Sequence, residues 1–277
     1  MANTNATTVA KWIDQKWDRI DVAAYEEQVF ATLIEDKQAM HGQLHIPYHA
    51  NVSVATVAAG GGSGLTFSAN TESEATISPT TYSAHQEVEM ATIARAIQDP
   101  RGVLRGSLVS AIAQQIDIVA LQAVASLTTN PISSSGISKG DITKAVALGA
   151  AGGKQFWKPG QNGPFCVVHV SQVNDLLNID GITNAQIRGD DANPVVTGWV
   201  AKAYGVDFYE SGNVYVTGGN CYNVVCIPRA FGISYNQRPT PKVDEFMLTF
   251  RVYCWTDVGV GIVRDAYAVQ IVAPATV

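Results

Sequence analysis

The pattern of apolar and polar residues divides the chain into segments with different periodicities. Residues 8–17 place Trp12 and Trp17 near one side of a helix, and residues 22–40 repeat apolar residues at helical spacing. Short amphipathic helices of this kind have no core of their own and must lie on another surface. We therefore predict a peripheral N-terminal arm over residues 1–40, with Trp12 and Trp17 as candidate contact residues.

The character of the sequence changes from helical to β-like over residues 41–84. Valines alternate in NVSVATV, the glycine-rich GGGSG follows at 60–64, and Leu65 and Phe67 then share one face of a second run. Two alternating runs around a glycine-rich tip predict a long β-hairpin, which is marginal in water unless it packs on something else. We expect contacts to neighbouring molecules along it, with the candidates Tyr48, Val57, Gly61, Leu65 and Phe67.

The strongest helical pattern follows a strand predicted over residues 85–97. From Asp99 and Pro100 onward, apolar residues keep the helical period to Leu127, which predicts a helix of about 27 residues, or roughly 40 Å. Asp117 is the one charge on its apolar stretch. We interpret Asp117 as a structural acid, for which Arg101, Arg105 or an arginine of a neighbouring molecule are the candidate partners. Arg101 and Arg105 are also candidate residues for contacts with neighbouring molecules.

The remainder alternates between short helices and strands. The pattern predicts a loop at residues 133–140, helices from Asp141 and Ser171, strands over residues 165–169, 206–209 and 222–227, and a short helix after Pro228. Residues 246–272 read as three short strands with tight connections. The fold class indicated by this order of elements is α+β.

Composition narrows the classes of function. Only 15% of the residues are charged and the net charge is −6, with the acidic excess in the first hundred residues. An ordinary soluble domain carries about a quarter charged residues, so the low fraction suggests a surface that is covered by partners. The absence of a basic patch disfavours sequence-specific nucleic-acid binding. The sequence also predicts no signal peptide and no membrane segment.

The histidine-rich stretch HGQLHIPYH is the first candidate for a metal centre. Pro47 prevents one helix from carrying His41, His45 and His49, and on a strand the successive rings lie roughly 13 Å apart, too far for one ion. A weak site using His41, His45 and the nearby acids stays open. We interpret the stretch as ordinary polar residues at a junction between a helix and a strand, and predict no metal.

Other catalytic patterns are equally weak. Residues 149–155 resemble a phosphate-binding loop, but Gln155 replaces the hydroxyl that binds the metal, and GGGSG lacks the following helix of a nucleophile elbow. Cys166 and His169 do not share a face of one strand. The paired acids at 190–191 are typical of a solvated loop, and the four cysteines form no CxxC motif. We therefore predict no catalytic residue and no cofactor.

Taken in order, the segments resemble those of a tailed-phage major capsid protein with the Hong Kong 97-type fold. The resemblance rests on the arm, the hairpin around GGGSG, the helix RGVLRGSLVSAIAQQIDIVALQAVASL, the α/β stretch 131–244 and the closing strands FMLTFRVYCWTDVGVGIVRDAYAVQIV. It implies an arm at 1–40, an extended hairpin (E-loop) at 41–84, a peripheral domain at 85–130 and 245–277 whose long helix is the spine helix, and an axial α/β domain at 131–244.

The same resemblance implies function, partners and location. It implies hexamers and pentamers of this chain that close into an icosahedral shell around the double-stranded DNA genome. The protein would be made in the host bacterial cytoplasm and found in the virion. It further implies a separate scaffolding protein and a portal as partners, since the chain reaches its hairpin within about forty residues of Met1, and non-specific contact with packaged DNA. The chain has no lysine between Lys37 and Lys139, so we do not expect a covalent cross-link through the hairpin.

Three alternatives differ in class. The same fold could form an encapsulin-type shell around enzyme cargo, the chain could be a soluble metal-dependent hydrolase using His41 and His45, or it could be a tail-tube protein. Tail-tube proteins are generally β-rich and lack so long a helix.

Overall fold

The protein is represented by a computed structural model that describes residues 28–37, 42–49, 72–95, 100–152, 163–179 and 199–275. The helices of the described residues are α1 (Phe30–Leu33), α2 (Met90–Arg95), α3 (Pro100–Gln122), α4 (Lys139–Gly152) and α5 (Val173–Leu177). The strands are β1 (Glu35–Lys37), β2 (Leu44–His49), β3 (Glu72–Ile77), β4 (Thr80–Glu89), β5 (Pro131–Ser133), β6 (Phe165–His169), β7 (Trp199–Ala203), β8 (Val206–Ser211), β9 (Val216–Thr217), β10 (Asn220–Cys226), β11 (Phe231–Phe246), β12 (Thr249–Ile262) and β13 (Ala268–Pro274). This mixture of helices and separate sheets is an α+β architecture, as predicted.

The long helix α3 packs across a four-stranded sheet. The strand order in this sheet is β1-β11-β12-β4, and α3 contacts β11, β12 and β4. Leu108, Ile112 and Ile116 of α3 are buried together with Val252 and Cys254 of β12. Each fully buried isoleucine contributes about 1.5–3 kcal/mol relative to an exposed one, so this packing is what holds so long a helix in place. The prediction of a long helix is confirmed, and a 3-10 turn at Ala123–Ser126 continues it.

A seven-stranded sheet forms the second layer of the core. Six strands follow the order β5-β13-β10-β6-β8-β7, and β9 pairs with β10. A buried amide network joins its strands: Asn223 donates to Gln172 Oε1 over 2.6 Å and accepts from the amide of His169 over 2.9 Å. Gln172 in turn donates to the carbonyl of Pro274 over 2.8 Å. Because the side chains of Gln172 and Asn223 at its centre are fully buried, the network fixes the last strand in the sheet.

The helix predicted from Asp141 is present as α4, but its cap is one turn earlier. The amide of Asp141 donates to Ser138 Oγ over 3.3 Å, and the Asp141 carboxylate accepts from the Ser138 amide over 3.0 Å. This reciprocal pair is a capping box with Ser138 at the N-cap. Asp141 therefore lies in the first turn of the helix, where a carboxylate also complements the helix dipole.

Three predicted elements are wrong in extent. The helix predicted over residues 22–40 is reduced, among its described residues, to α1, because residues 35–37 pair in parallel with β11 instead. The strand predicted over residues 85–97 ends at Glu89, where helix α2 begins. The three strands predicted over residues 246–272 are two, since β12 runs unbroken from Thr249 to Ile262 and β13 belongs to the other sheet.

Strand β11 is the long element that the sequence pattern did not predict. It contains Pro239 and Pro241, which remove amide donors, and several charged residues. Its register against β12 shifts between Tyr235 and Thr240, so Pro239 falls inside an irregular stretch of the ladder. Pairing with the β-rich strand β12 overrides the weak propensity of this segment.

Candidate functional site

The turn between β11 and β12 presents three consecutive apolar side chains to solvent. Phe246, Met247 and Leu248 are 44%, 83% and 78% exposed, and Met247 and Leu248 are the most exposed large apolar side chains of the described residues. We call these three residues the apolar tip. Contiguous exposed apolar side chains are typical of surfaces that bind another molecule.

The apolar tip is held rigidly by the strands beneath it. The Thr249 hydroxyl contacts both the Phe246 carbonyl, over 2.8 Å, and Glu87 Oε1, over 2.6 Å. The Leu248 carbonyl accepts from the amide of Met90 at the start of α2 over 2.9 Å. The turn is therefore bonded to α2 through the Leu248 carbonyl and to β4 through the side chain of Thr249. A preorganised apolar tip loses little entropy when a partner covers it.

A charged group supports the ring of Phe246 from one side. The Arg251 guanidinium lies 3.7 Å from the centre of the Phe246 ring and also faces Glu87, with Nε 3.4 Å from Oε1. Hydrogen bonds from Thr249 first, and from Arg251 in addition, lower the pKa of the Glu87 carboxyl below its ordinary value. The base of the tip is thus a fixed cation with its counter-ion, while its end is apolar.

The two arginines predicted as contact residues differ in their surroundings. The guanidinium of Arg101 lies 5.0 Å from the ring centre of Phe250, which engages it within the chain. Arg105 is exposed on α3, one turn further along. Whether either contacts another molecule stays a prediction.

Tyr48, another predicted contact residue, is used inside the chain. It is half-buried on β2, where the guanidinium of Arg264 lies 5.0 Å from the centre of its ring. It packs against a small cluster formed by Ala75, Ile77 and Val263. Its packing therefore joins the base of the hairpin to the body of the protein.

The expectation that Asp117 pairs with Arg101 or Arg105 is wrong. The buried Asp117 carboxylate accepts from the amide of Ala31 over 2.8 Å and from Asn213 Nδ2 over 3.0 Å. Burial raises the pKa of Asp117 above its ordinary value, although these hydrogen bonds oppose the rise. The carboxylate thus caps α1 from a distance of 86 residues along the chain and fixes the N-terminal segment on the long helix.

The other predicted contact residues, Trp12, Trp17, Val57, Gly61, Leu65 and Phe67, lie outside the described residues and stay predictions. The same holds for His41, Gln155 and the acids at 190–191. Of the hairpin, the described ends β2 and β3 pair antiparallel from Leu44 opposite Ile77 to His49 opposite Glu72, in agreement with the predicted hairpin.

The candidate chemical groups have ordinary structural partners. His45 is exposed on β2 and faces Glu74, with Nδ1 3.4 Å from Oε1. His169 accepts from the amide of Ser171 as the cap of a 3-10 turn. Burial raises the pKa of the Cys166 thiol, so it is a poor nucleophile. Across the described ranges, no three His, Cys, Asp or Glu side chains come together as metal ligands would.

Helix α3 with its 3-10 continuation, Arg101–Ser126, is long and apolar enough to cross a membrane by length and composition alone. Its contacts with three strands of the four-stranded sheet show that it serves here as the central helix of a folded core.

Sequence reasoning missed the apolar tip because it assigned FML to the beginning of a strand. The signal that could have revealed a turn is the charged Asp244 and Glu245 before it, followed by Thr249 and Arg251 after it. These polar residues lie at the end of β11 and the start of β12, with Met247 in the turn between them. Met247 has a φ of 54°, a conformation that a tight turn requires and a strand excludes.

Comparison with family models and with curated proteins by sequence gives no match. Solved structures, in contrast, match over nearly the whole chain. A structure described as the acidic stable capsid of Helicobacter pylori bacteriophage KHP30 has a TM-score of 0.75 at 12% identity, covering 98% of each chain. A structure from Mycobacterium phage Che8 has a TM-score of 0.69 at 20% identity, covering 94% of this chain and 97% of the other.

A third structure, described as the capsid of a native GTA particle, has a TM-score of 0.72 at 10% identity and covers 94% of each chain. The three structures agree over almost their full lengths although their sequences have diverged widely from this one. The protein therefore has the fold of phage capsid proteins.

Proposed function

We propose that this chain is the major capsid protein of a tailed phage and assembles with copies of itself into the head shell of the virion. The observation that carries the proposal is the match of the whole fold, over 98% of both chains, to a phage capsid. The role is structural, and we assign the chain no catalytic activity. The exposed apolar tip supports the proposal because a shell subunit needs surfaces that only neighbouring subunits cover.

The two sheets suggest how the chain is divided in this role. We place the four-stranded sheet with α3 in the peripheral domain and the seven-stranded sheet in the axial domain. Strand pairing supports two changes to the limits expected from the sequence, 131–244 for the axial domain and 245–277 for the end of the peripheral domain. Strand β11 pairs with β12 and is placed in the peripheral domain, whereas β13 pairs with β5 and β10 and is placed in the axial domain. The arm over residues 1–40 and the hairpin over residues 41–84 would then be the extensions that reach neighbouring subunits.

Low charge and many modest contacts suit such an assembly. Hexamers and pentamers bury the same surfaces repeatedly, so a contact of small free energy at each tip becomes strong in a closed shell. The net charge of −6 also suits a container for DNA, because a lining that bound phosphates tightly would impede packing and release. A separate scaffolding protein, a portal and packaged double-stranded DNA complete the proposed set of partners.

The test compares shells formed by the wild type and by a double variant of the tip, each expressed in a bacterial host together with the proposed scaffolding protein. Met247→Asp with Leu248→Asp places two charges where the proposal requires apolar contact, and we expect the loss of shells while the purified subunit keeps its circular dichroism spectrum. Val216→Asp is the matched control, because Val216 is also exposed (41%) but lies on the short strand β9, away from the tip.

Negative-stain electron microscopy reads out the result. Shells from the wild type and the control, but not from the double variant, support the proposal. Tubes or dispersed subunits from the wild type would contradict it, and intact shells from the double variant would exclude the tip as a contact. Nuclease-protected DNA in particles from infected cells distinguishes a genome container from a compartment that holds protein cargo.

A further inference from the structure

The side chain of Ile77 packs the base of the hairpin against the body of the protein. Ile77, at the end of β3, is 1% exposed and lies against three glycines of the four-stranded sheet, Gly232 on β11 and Gly259 and Gly261 on β12. We call the three glycines the socket, and the paired strands β2 and β3 the ribbon. Gly232 and Gly261 are directly paired across the two strands, so the socket is continuous.

The socket has no room for any side chain beside Ile77. A Cβ atom on Gly259 would lie 2.7 Å from Ile77 Cγ2 and 3.0 Å from the carbonyl oxygen of Ser78. A Cβ atom on Gly261 would lie 3.0 Å from Ile77 Cγ1, and one on Gly232 would lie 3.1 Å from Ile77 Cδ1. All of these distances are shorter than ordinary van der Waals contact between carbon atoms.

Backbone conformation does not explain the three glycines. None of them has a positive φ, although other glycines of the described chain do. Glycine in the middle of a strand costs stability, because it has no side chain to pack and loses more conformational entropy on folding than any other residue. The packing of the Ile77 side chain against the backbone of the three glycines offsets that cost.

A second contact holds the other strand of the ribbon. The guanidinium of Arg264 lies 5.0 Å from the ring centre of Tyr48 on β2, and its Nη1 donates to the hydroxyl of Tyr267 over 2.8 Å. The ribbon is therefore fixed on both of its strands, by Ile77 on β3 and by Tyr48 on β2. Two fixed points define a direction, whereas one would leave the ribbon free to rotate.

We infer that the Ile77 socket sets the direction in which the hairpin leaves the subunit, and thereby the geometry of the assembled shell. This inference rests on the proposed function and adds a positioning role for Ile77, Gly232, Gly259 and Gly261. The ribbon from Ile77 to Glu72 is about 20 Å long, so a tilt of about 10° at the socket displaces its far end by about 3.5 Å. A displacement of that size is enough to break a contact with a neighbouring subunit.

We call the contact between Ile77 and the socket the joint. The test uses the full-length chain, expressed together with the proposed scaffolding protein, with two variants of the joint and one matched control. Ile77→Ala empties the socket and Gly259→Ala fills it. Ile233→Ala is the control, because Ile233 is equally buried (1%) and adjacent to Gly232 in β11 but belongs to the main core cluster rather than to the cluster around Ile77. Urea unfolding verifies that Ile77→Ala and Ile233→Ala remain folded.

Two readouts follow each variant: the yield of shells with the wild-type diameter, and the rate at which the glutamate-specific protease Glu-C cleaves the dispersed subunit after Glu72 or Glu74. We expect Ile77→Ala and Gly259→Ala to reduce the yield at least tenfold and to raise the cleavage rate at least tenfold. The control should change each by less than threefold. Cleavage reports on the region of the joint, since it requires β3 to separate from β2 next to the socket and does not require the core to open.

The outcomes separate the inference from the proposed function. If the wild type forms no shells, the proposed function fails, and the role of the joint in shell geometry fails with it. An unchanged Glu-C cleavage rate in both joint variants would refute the claim that the contact between Ile77 and the socket holds the ribbon in place. Wild-type shells in wild-type yield from both joint variants, or equal losses from Ile77→Ala and Ile233→Ala, overturn the joint's control of the shell.

Discussion

Removal of the Asp117 carboxylate tests how the N-terminal segment is attached to the long helix. Asp117→Ala leaves the amide of Ala31 and the side-chain amide of Asn213, now 2.8 Å and 3.0 Å from the carboxylate oxygens, without their acceptor. Each buried donor without a partner costs about 1–3 kcal/mol. The loss is reduced because the buried carboxylate itself carries a desolvation cost, so we expect a net destabilisation of about 2–4 kcal/mol.

Urea unfolding of the dispersed subunit measures this cost. With an m value of about 3 kcal/mol/M, the expected loss lowers the midpoint by roughly 0.7–1.3 M. Asp117→Asn is the matched variant, since it keeps an acceptor for the Ala31 amide while it removes the charge and the second acceptor oxygen, which faces Asn213 Nδ2. A midpoint for Asp117→Ala within 0.2 M of the wild type would refute the assignment of Asp117 as the anchor of the N-terminal segment.

The pH dependence provides the second half of this test. The folded-state pKa of Asp117 is raised by burial, so the folded protein binds the proton more tightly than the unfolded chain does. The contribution of this group to stability is therefore greatest below the pKa of the unfolded chain, and it is lost as the pH rises through the folded-state pKa. Relative to Asp117→Asn, which has no such titration, the wild type should lose stability as the pH rises from about 4, with the opposite trend refuting the raised pKa.

Two further predictions concern packing and thiol chemistry. Gly152→Ala should lower the melting temperature by several degrees, because the added Cβ atom would collide with the carbonyl oxygen of Ala266. Gly140→Ala in the same helix is the control: its Cβ atom would meet only Ser138 Oγ at 3.6 Å, so the melting temperature should stay nearly unchanged. Equal shifts would contradict the contact. Cys166 and Cys226 are buried, and burial raises the pKa of both thiols. A thiol reagent at pH 8 should therefore label them at least a hundredfold more slowly in the folded protein than in urea. Equal labelling rates would show that the paired strands β6 and β10 are open to solvent.

The sequence was sufficient for elements whose residues follow one period without interruption. Helix α3 was predictable because Leu108, Ile112 and Ile116 face the sheet at helical spacing and all are buried. The strand Phe165–His169 was predictable because its apolar run is short and lies in the middle of a sheet. Local pattern and tertiary environment agree at both places.

The sequence was insufficient where a distant partner determines the local structure. Strand β11 contains two prolines and depends on its pairing with β12. Residues 35–37 form a strand instead of a helical turn because β11 offers them a parallel edge. Asp117 accepts from a backbone amide 86 residues away, and no spacing in the sequence encodes that contact. Local periodicity carries no information about such partners.

The same distinction between local pattern and distant contacts applies to the candidate site. The order of elements was enough to suggest a capsid fold, but the apolar tip depends on where the β11–β12 ladder turns, and its exposure follows from the three-dimensional path of two strands. Similarly, the glycines of VGVGIV read as weak strand residues until Ile77 is seen to lie against them.

Sedimentation velocity of the wild-type chain purified after co-expression with the proposed scaffolding protein, followed by electron microscopy of the fastest-sedimenting fraction, tests the central claim most directly. Self-assembly through the apolar tip and the hairpin predicts closed, roughly spherical shells in that fraction and only a minor monomer peak at concentrations of about 1 mg/ml and above. A single monomer peak that persists across the whole concentration range, with no particles on the grid, would contradict the account.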